Sequence, residues 1–420
     1  MDEIVITGGK KLSGEVMVGG AKNAALPLIA ATLLAPGKNV INNVPNLADV
    51  RTMLKLFSLL GAPSHQEEKR LRIDTSKIDK FAAPYELVKT MRASVLVLAP
   101  LLARYGNAKV SLPGGCAIGA RPIDQHLKAL EALGAEIAIE HGYVIAKAKR
   151  LRGAEIIFDL VTVTGTENAL MAAVLAKGET TIRNAAREPE VVDLANALIK
   201  SGAKIAGAGT EEIVVVGVEE ILPLEHTVIG DRIEAGTLLL SAAVTGGEVT
   251  VRGIPPEFLT AELKKFADAG MRIKTGEDWI TLKATPPFKA VNLRTSPYPG
   301  FATDMQAQFV AAMTTAKGTS LIEETIFENR FMHILELQRM GADIKISGRV
   351  AAVTGVEKLS GAPVMATDLR ASASLIIAGL AAENTTIVSR VYHLDRGYER
   401  LDEKLRALGA EIARRKAVIG

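Results

Sequence analysis

Cysteine and aromatic residues are scarce in this chain. Of its 420 residues one is a cysteine, and Phe, Trp and Tyr together make up 4%. A single cysteine excludes an intramolecular disulfide and a Cys-rich zinc site, and the six histidines form no HExxH pair. A reducing environment is the default for such a chain, so we expect it in the cytoplasm. With few aromatics, the interior is expected to consist of small aliphatic side chains, as in helix-on-sheet packing.

Long apolar runs and an excess of one charge are also lacking. No stretch approaches the roughly 18 apolar residues of a membrane span, and the acidic start is unlike a secretory signal. The 50 basic and 47 acidic residues give a net charge of +3, so we expect neither nucleic acid nor a membrane as partner. The absence of P-loop, GxSxG and GxGxxG signatures disfavours nucleotide hydrolysis and dinucleotide redox chemistry. Nothing indicates a protein partner.

Two short tags recur six times at nearly constant spacing. One resembles Gly-Ala-x-Ile and closes a helical stretch. Its glycines are Gly61, Gly134, Gly202, Gly270, Gly341 and Gly409, at separations of 73, 68, 68, 71 and 68 residues. The other is a turn followed by a short strand, 23 to 28 residues earlier. Its turn residues are Gly37, Gly106, Gly178, Gly246, Gly318 and Asn384. The chain is therefore predicted to contain six copies of a unit of about 70 residues.

Every copy predicts the same order of elements. An apolar helix such as 24–34 ends at the turn, where Gly or Asn supplies a left-handed residue. A strand, an amphipathic helix such as 48–60, the closing glycine and a strand such as 136–139 follow. Six such βαβαβ-type units could form one solenoid or two domains, and the usual limit on core size favours two, with a boundary near 219–229. A further strand, 4–18, could pair with either half.

Polar residues stand where the six apolar helices begin. Counting back 14 residues from the turns gives Asn23, Arg92, Thr164, Arg232, Asp304 and Arg370. Helix N-termini attract anions, and Asn23, Asp304 and Asp368 are good N-cap residues. At any single position a mere cap remains an alternative. Because Lys22, Arg92 and Arg370 are not needed as caps, we expect the helix starts to line a polar cleft.

The second copy carries a longer loop, 113–125, that contains the only cysteine. A lone cysteine is commonly a small buried hydrophobe. Here Cys116 lies among Gly114, Gly115 and Gly119, and Arg121 follows five residues later. A nearby guanidinium favours the thiolate. The segment is therefore interpreted as a lid with a reactive thiol.

Six segments of the chain resemble one enzyme family, the UDP-N-acetylglucosamine 1-carboxyvinyltransferases. They are GAKNAALP (20–27), PGGCAIGARPIDQH (113–126), NAAREPEVVDLAN (184–196), ATDMQAQ (302–308), FENRFMHI (327–334) and TDLRASASL (367–375). The resemblance extends from Ile4 to the C-terminus. The cysteine loop is its most specific part, because the related shikimate-pathway enolpyruvyl transferases share the architecture without it.

The resemblance implies a fold and an activity. The fold would be a two-domain inside-out α/β barrel with three repeats per domain, residues 22–229 forming one domain and 1–21 with 230–420 the other. The active site would lie in the cleft between them. The enzyme would transfer the enolpyruvyl group of phosphoenolpyruvate to the 3-hydroxyl of UDP-N-acetylglucosamine, the first committed step of peptidoglycan synthesis. No metal or organic cofactor would be needed.

The resemblance also implies roles for individual residues, which fall into four sets. Phosphoenolpyruvate would be held by Lys22, Arg121 and Arg396, and the amino sugar by Asn23, Arg92 and Asp304. The uridine diphosphate portion would meet Arg121, Pro122, Ile123, Asp124, Gln125, Val161, Thr162, Val163, Thr164, Ile326 and Phe327. Arg330, Asp368 and Arg370 would be charged side chains of the cleft that respond when the cleft closes on substrate. Leu160 stands where many relatives carry lysine, so one cation facing the diphosphate is missing.

The implied chemistry is addition followed by elimination. Cys116 would protonate C3 of phosphoenolpyruvate, could form a covalent phospholactoyl adduct, and would be alkylated by fosfomycin. Asp304 would take the proton of the sugar hydroxyl, while Lys22 and the arginines stabilise the anionic groups. Two alternatives remain: transfer to shikimate 3-phosphate, which the cysteine loop disfavours, and a non-catalytic nucleotide-sugar binder, which the set Lys22, Cys116, Asp304 and Arg396 disfavours.

Overall fold

The computed structural model describes residues 2–89, 91–112 and 123–417. These residues form two compact units. The first unit comprises residues 20–112 and 123–229, and the second comprises 2–19 and 230–417. The chain therefore passes between the units at 19/20 and at 229/230. No helix within the described ranges is long and apolar enough to cross a membrane.

Short strands and helices alternate along the whole chain. The strands are β1 Asp2–Thr7, β2 Ser13–Met17, β3 Lys38–Asn42, β4 Ser64–Glu67, β5 Arg70–Asp74, β6 Ala82–Ala83, β7 Asn107–Ser111, β8 Glu136–Glu140, β9 Tyr143–Lys147, β10 Glu155–Ile157, β11 Glu179–Arg183, β12 Lys204–Ala206, β13 Glu212–Val216, β14 Glu225–Thr227, β15 Glu248–Arg252, β16 Arg272–Thr275, β17 Trp279–Lys283, β18 Leu293–Arg294, β19 Thr319–Glu323, β20 Asp343–Ser347, β21 Val350–Thr354, β22 Pro363–Met365, β23 Thr385–Ser389 and β24 Glu411–Lys416. The α-helices are α1 Lys22–Ala31, α2 Ala48–Leu60, α3 Tyr85–Val88, α4 Leu98–Tyr105, α5 Asp124–Ala132, α6 Val163–Val174, α7 Pro189–Lys200, α8 Arg232–Val244, α9 Thr260–Asp268, α10 Gln306–Met313, α11 His333–Arg339, α12 Leu369–Ala381 and α13 Leu401–Ala407. Short 3-10 helices span Thr32–Leu34, Arg92–Val97, Pro256–Leu259, Thr303–Met305 and Val391–Arg396.

Within the described residues the strands form six four-stranded sheets of the same topology, three in each unit. In each sheet an edge strand runs parallel to its neighbour, and the two remaining pairs are antiparallel. The strand orders are β14-β3-β5-β4, β6-β7-β9-β8, β10-β11-β13-β12, β2-β15-β17-β16, β18-β19-β21-β20 and β22-β23-β1-β24. The sixfold repeat predicted from the two tags is confirmed.

The tags terminate helices through backbone conformation, as predicted. All six turn residues have φ between 65° and 124°, and all six closing glycines have φ between 89° and 104°. At Gly61 a Cβ atom would also lie 2.9 Å from the Lys77 carbonyl oxygen. Left-handed residues satisfy the last carbonyls of a helix and reverse the chain. Asn384 is the one turn residue of the six that carries a side chain.

Buried helices lie inside each unit, with the sheets around them. In the second unit every residue of α8 and α10 is buried, and in the first unit α6 is buried from Gly165 to Val174. Helices that are apolar on all sides require such surroundings. The strands alternate buried and exposed residues, as in β11, so each sheet packs one face inward. The expected α/β class with helices inside and sheets outside is confirmed.

The N-terminal segment differs from the single strand expected at 4–18. It forms β1 and β2, which belong to different sheets of the second unit. β1 completes the sixth sheet between β23 and β24, and β2 is the parallel edge strand beside β15. Two glycines stand at the break: a Cβ on Gly8 would lie 2.0 Å from the Ala382 carbonyl oxygen, and Gly9 has a left-handed φ of 86°.

The repeat also contains one strand more than the βαβαβ pattern predicted. Each closing glycine is followed by a strand that pairs in a hairpin with the next strand, except in the sixth sheet, where β1 takes the place of the second hairpin strand. Between β8 and β9 the turn residues His141 and Gly142 have φ of 50° and 78°. Two successive positive values are typical of the tight turns that join antiparallel strands.

Glu167 is a carboxyl group in the core of the first unit. It lies on α6 and is 1% exposed, and among the described residues its Oε1 has no hydrogen-bond partner. Burial, and then the nearby Glu190 and Glu188 carboxyls, raise the pKa of Glu167 well above its ordinary value. A carboxyl in such surroundings is protonated at a pH where the unfolded chain has already released its proton.

We predict that Glu167→Gln stabilises the protein more at pH 8 than at pH 5. Because the pKa is raised on folding, the stability linked to this proton is fully present below the unfolded pKa and is lost as pH rises through the folded pKa. For each pH unit between the unfolded and the folded pKa of Glu167, the free energy of unfolding falls by about 1.4 kcal/mol. In a domain of this size that corresponds to about 3 °C of Tm. Calorimetry at both pH values measures the difference, with the exposed Glu179→Gln as control. A Tm gain independent of pH would contradict the assignment.

Candidate active site

The polar positions found by counting from the turns do lie at helix starts. Lys22 and Asn23 begin α1, Arg232 begins α8, and Thr164 and Arg370 are the second residues of α6 and α12. Arg92 and Asp304 stand in the 3-10 turns that lead into α4 and α10. The positional prediction is therefore confirmed at all six places.

The expectation that Asn23 and Asp304 cap helices is wrong. The N-cap position of α1 is Ala21 and that of the Thr303–Met305 turn is Ala302, neither with a side-chain cap. Asp368 does cap α12, accepting from the N–H groups of Arg370 at 2.7 Å and Ala371 at 3.0 Å. Asp304 is directed elsewhere because two guanidinium groups bind a carboxylate more strongly than one backbone N–H does.

Asp304 is held between two buried arginines of the second unit. Its Oδ1 accepts from Arg330 Nη2 and its Oδ2 from Arg370 Nη2, each at 2.7 Å. Arg330 is 5% and Arg370 3% exposed. Burial alone would lower the pKa of Arg370, but Asp304, Tyr398 and Asp231 together outweigh it, and the net pKa lies above the ordinary value. Both carboxylate oxygens are thus fixed in orientation at the start of α10.

The two arginines keep donors that have no partner among the described residues. They are Arg330 Nε and the Nε and Nη1 of Arg370. Leaving a buried charged donor unsatisfied is costly, so these groups favour an anionic or polar ligand atom. Arg370 also lies over the ring of Tyr398, 5.4 Å from its centroid. The Tyr398 hydroxyl bonds Thr237 Oγ1 at 2.9 Å and Gln308 Nε2 at 3.0 Å.

Arg396 closes the 3-10 helix Val391–Arg396, and its neighbour Asp395 anchors that helix. Arg414 on β24 donates to Asp395 through Nη1 at 2.7 Å and Nη2 at 2.6 Å, and its Nε reaches Asp2 on β1 at 3.1 Å. The hydrogen bonds to Asp395 raise the pKa of Arg414. A bidentate arginine–carboxylate pair restricts the orientation of the two groups as well as their distance. The sixth sheet therefore positions the 3-10 helix that ends at Arg396.

Ile326 and Phe327 lie in the loop that follows β19. The Ile326 side chain is exposed, while the ring of Phe327 lies 5.0 Å from the guanidinium carbon of Arg330. A guanidinium over an aromatic face is attractive. The loop therefore adjoins the arginine that holds Asp304.

The sequence-predicted residues of the first unit make contacts in two places. Lys22 Nζ lies 3.6 Å from Asp49 Oδ2. Gln125 connects the start of α5 to the segment before α6, since its Nε2 donates to Asp159 Oδ2 and its Oε1 accepts from the Asp159 N–H, both at 3.0 Å. The predicted segments 123–125 and 161–164 are thus held side by side. Leu160, in place of lysine, is 72% exposed.

His126 is a buried partner of this set that sequence reasoning missed. Asn168 Nδ2 donates to its Nδ1 at 2.7 Å, so Nε2 carries the proton and faces Thr164 Oγ1 at 3.1 Å. Burial, then Arg92, lowers the pKa of His126 to about 4. The ring is therefore neutral near pH 7 and supports Thr164. The one feature of the sequence that could have indicated His126 is its position directly after the predicted binding residues, at the end of the run PIDQH.

Three predicted site residues, Cys116, Arg121 and Pro122, lie outside the described residues. Within the described part of the chain no group of three or more His, Cys, Asp or Glu residues could hold a metal ion. The other sequence-predicted site residues lie in the described part of the chain, some in each unit. The first unit contains the predicted residues Lys22, Asn23, Arg92, Ile123, Asp124, Gln125 and 161–164, and the second contains Asp304, Ile326, Phe327, Arg330, Asp368, Arg370 and Arg396.

Comparison with known proteins finds relatives along the whole chain. The family described as EPSP synthase (3-phosphoshikimate 1-carboxyvinyltransferase) matches residues 6–405. A curated protein of Geotalea uraniireducens (strain Rf4), named UDP-N-acetylglucosamine 1-carboxyvinyltransferase, is 59% identical over 414 residues, which is 99% of each chain.

Solved structures with the same fold are also found. The enolpyruvyl transferase NikO from Streptomyces tendae aligns with a TM-score of 0.89 and 27% identity, covering 99% of both chains. An EPSP synthase from Acinetobacter baumannii aligns with a TM-score of 0.76 and 17% identity over 99% of this chain and 100% of that one. At the latter identity the likeness concerns the fold alone.

Proposed function

Because the chain belongs to the EPSP synthase (3-phosphoshikimate 1-carboxyvinyltransferase) family of enolpyruvyl transferases, we propose that it transfers the enolpyruvyl group of phosphoenolpyruvate to the 3-hydroxyl of UDP-N-acetylglucosamine. The observation that carries the choice of acceptor is the 59% identity, over 99% of both chains, to a relative named for that reaction. The EPSP synthase of known structure is 17% identical. The product would be an enol ether of the nucleotide sugar, with release of phosphate.

The proposed binding roles follow the charges of the substrates. Phosphoenolpyruvate carries a phosphate and a carboxylate, which Lys22, Arg121 and Arg396 would hold. The nucleotide sugar would lie against 123–125, 161–164 and the Ile326–Phe327 loop. The donors without described partners on Arg330 and Arg370 would face substrate oxygen atoms. Preorganised donors of this kind stabilise charge that develops during reaction.

The proposed reaction proceeds in two steps. In the first, the 3-hydroxyl oxygen forms a bond to C2 of phosphoenolpyruvate, Asp304 takes the hydroxyl proton, and the Cys116 thiol gives a proton to C3. The result is a tetrahedral ketal with a methyl group. In the second, the C2–O bond to phosphate breaks, a proton leaves C3 for the thiolate, and the proton held by Asp304 leaves with the phosphate.

The proposed reaction places the protein in cell-wall formation. We propose that its product, the enolpyruvyl ether of the nucleotide sugar, is a precursor for peptidoglycan synthesis. We propose the cytoplasm as its location, since both substrates are small anionic metabolites and the chain has one cysteine.

Phosphate release with separate acceptors tests this proposal. We expect purified protein to release phosphate from phosphoenolpyruvate with UDP-N-acetylglucosamine and not with shikimate 3-phosphate. Shikimate 3-phosphate is included because the family description names it. Phosphate release with shikimate 3-phosphate alone would show that it is the acceptor in place of UDP-N-acetylglucosamine. Calorimetric binding of UDP-N-acetylglucosamine without any phosphate release would instead indicate a non-catalytic binding protein.

A further inference from the structure

Glu324 is a buried carboxylate of the second unit that has no part in the proposed reaction. It follows directly after β19 and is 1% exposed. Its two oxygens accept four hydrogen bonds. Oε1 accepts from Thr295 Oγ1 at 3.0 Å, from Ile326 N at 2.8 Å and from Phe327 N at 3.1 Å. Oε2 accepts from Thr303 Oγ1 at 2.8 Å. A buried carboxylate with this many donors has little freedom to turn.

One side of this network holds the loop after β19. Both loop N–H groups donate to Glu324, and Thr325 is bound to Thr295 twice, through Thr325 N to Thr295 Oγ1 at 2.9 Å and Thr325 Oγ1 to the Thr295 carbonyl at 2.6 Å. The backbone of the Ile326–Phe327 turn therefore depends on Glu324 Oε1. This turn is the proposed wall of the nucleotide site.

The other side leads to Asp304. Because Thr303 gives its single hydroxyl proton to Glu324 Oε2, its oxygen must accept, and it does so from Arg330 Nη1 at 2.9 Å. Arg330 Nη2 then donates to Asp304 Oδ1 at 2.7 Å. Three successive hydrogen bonds thus connect the Glu324 carboxylate to the Thr303 hydroxyl, the hydroxyl to the Arg330 guanidinium, and the guanidinium to the Asp304 carboxylate. Their direction is set by the chemistry of the groups.

We propose that Glu324 is a positioning residue that links the nucleotide-binding turn to the Asp304 carboxylate. The inference rests on the proposed roles of Asp304 and of the Ile326–Phe327 turn. If Glu324 only held the Ile326–Phe327 turn in place, its Oε1 would be sufficient. The Oε2 branch instead orients Arg330, one of the two cations that set the direction in which Asp304 presents its oxygens. Disturbing Glu324 therefore affects both acceptor binding and proton removal.

Three variants separate the two branches in the phosphate-release assay. Thr303→Val removes the hydroxyl between Glu324 and Arg330 at nearly constant volume, and we expect kcat to fall about tenfold, the effect of one hydrogen bond to a charged group. Thr295→Val disturbs the loop branch, and we expect KM for UDP-N-acetylglucosamine to rise about tenfold. Glu324→Ala removes the acceptor oxygens of both branches, so we expect both changes together.

The adjacent Glu323 is the matched control, since it is partly exposed and paired with Arg294. Glu323→Gln is expected to leave kcat, KM and Tm unchanged. If all three branch variants showed the same fall in kcat and the same rise in KM, in proportion to their loss of Tm, Glu324 would be a structural residue and the proposal would be overturned.

A crystal structure of the Thr303→Val variant gives a readout that does not depend on turnover. The expected result is that Arg330 Nη2 moves out of hydrogen-bond distance from Asp304 Oδ1 while Arg370 keeps Oδ2. An unchanged Arg330–Asp304 contact would refute the positioning role even if the enzyme is active. If the wild-type protein released no phosphate, the proposed function would fail and this structural result would still decide the role of Glu324.

Discussion

The Asp304→Asn variant is expected to lose between about 100-fold and 10,000-fold in kcat, the usual contribution of a general base. The amide cannot accept the proton of the sugar hydroxyl. It also has a single acceptor oxygen, whereas Arg330 and Arg370 each donate to one carboxylate oxygen at 2.7 Å. One guanidinium would then face an NH₂ group, which is donor against donor. Steady-state phosphate release with both substrates measures the loss.

Two measurements distinguish a lost base from a damaged fold. Asp343→Asn changes an exposed aspartate of β20 in the same unit and should retain wild-type kcat and Tm. Calorimetric titration of Asp304→Asn with UDP-N-acetylglucosamine should give a Kd within about tenfold of wild type, because one hydrogen bond to the acceptor is altered. A variant within threefold of the wild-type kcat would exclude Asp304 as the base.

Positions set by backbone geometry could be predicted from the sequence. The six turn residues and six closing glycines need a left-handed backbone that few residues adopt. Their spacing therefore located every apolar helix start, and with it Lys22, Arg92, Asp304 and Arg370. The hairpin strands were harder to find, because strands such as β8 and β9 are short and half exposed.

The partners of the site residues could not be predicted, because they come from distant parts of the chain. Asp304 looked like a helix cap, yet it binds arginines 26 and 66 positions later. His126 and Asn168 are separated by 42 positions. Glu324 accepts two bonds from its own run, EETIF, but its other two donors, Thr295 and Thr303, are 29 and 21 positions away. Such contacts arise from tertiary packing, and sequence periodicity has no access to them.

The Cys116→Ser variant is expected to lose between about 100-fold and 10,000-fold in kcat while keeping its fold. The proposed step needs an acid that gives a proton to C3 and takes one back, so its pKa must lie near the working pH. A cysteine thiol meets this condition with an ordinary pKa of about 8.5, and a serine hydroxyl is far less acidic. Phosphate release measures the loss, and an unchanged Tm shows that the fold is intact.

Alkylation gives an independent test of the same thiol. Fosfomycin is an epoxide with a phosphonate, so a thiolate beside the cations of a phosphate site should open its ring and become covalently attached. Since Cys116 is the only cysteine, intact mass spectrometry should show one adduct on the wild-type protein and none on Cys116→Ser. Wild-type turnover in the serine variant would remove Cys116 from the proton transfer to C3, whether or not the thiol is alkylated. An unmodified wild-type protein that still turns over would contradict only the thiolate reactivity, because a protonated thiol can act as an acid without being a nucleophile.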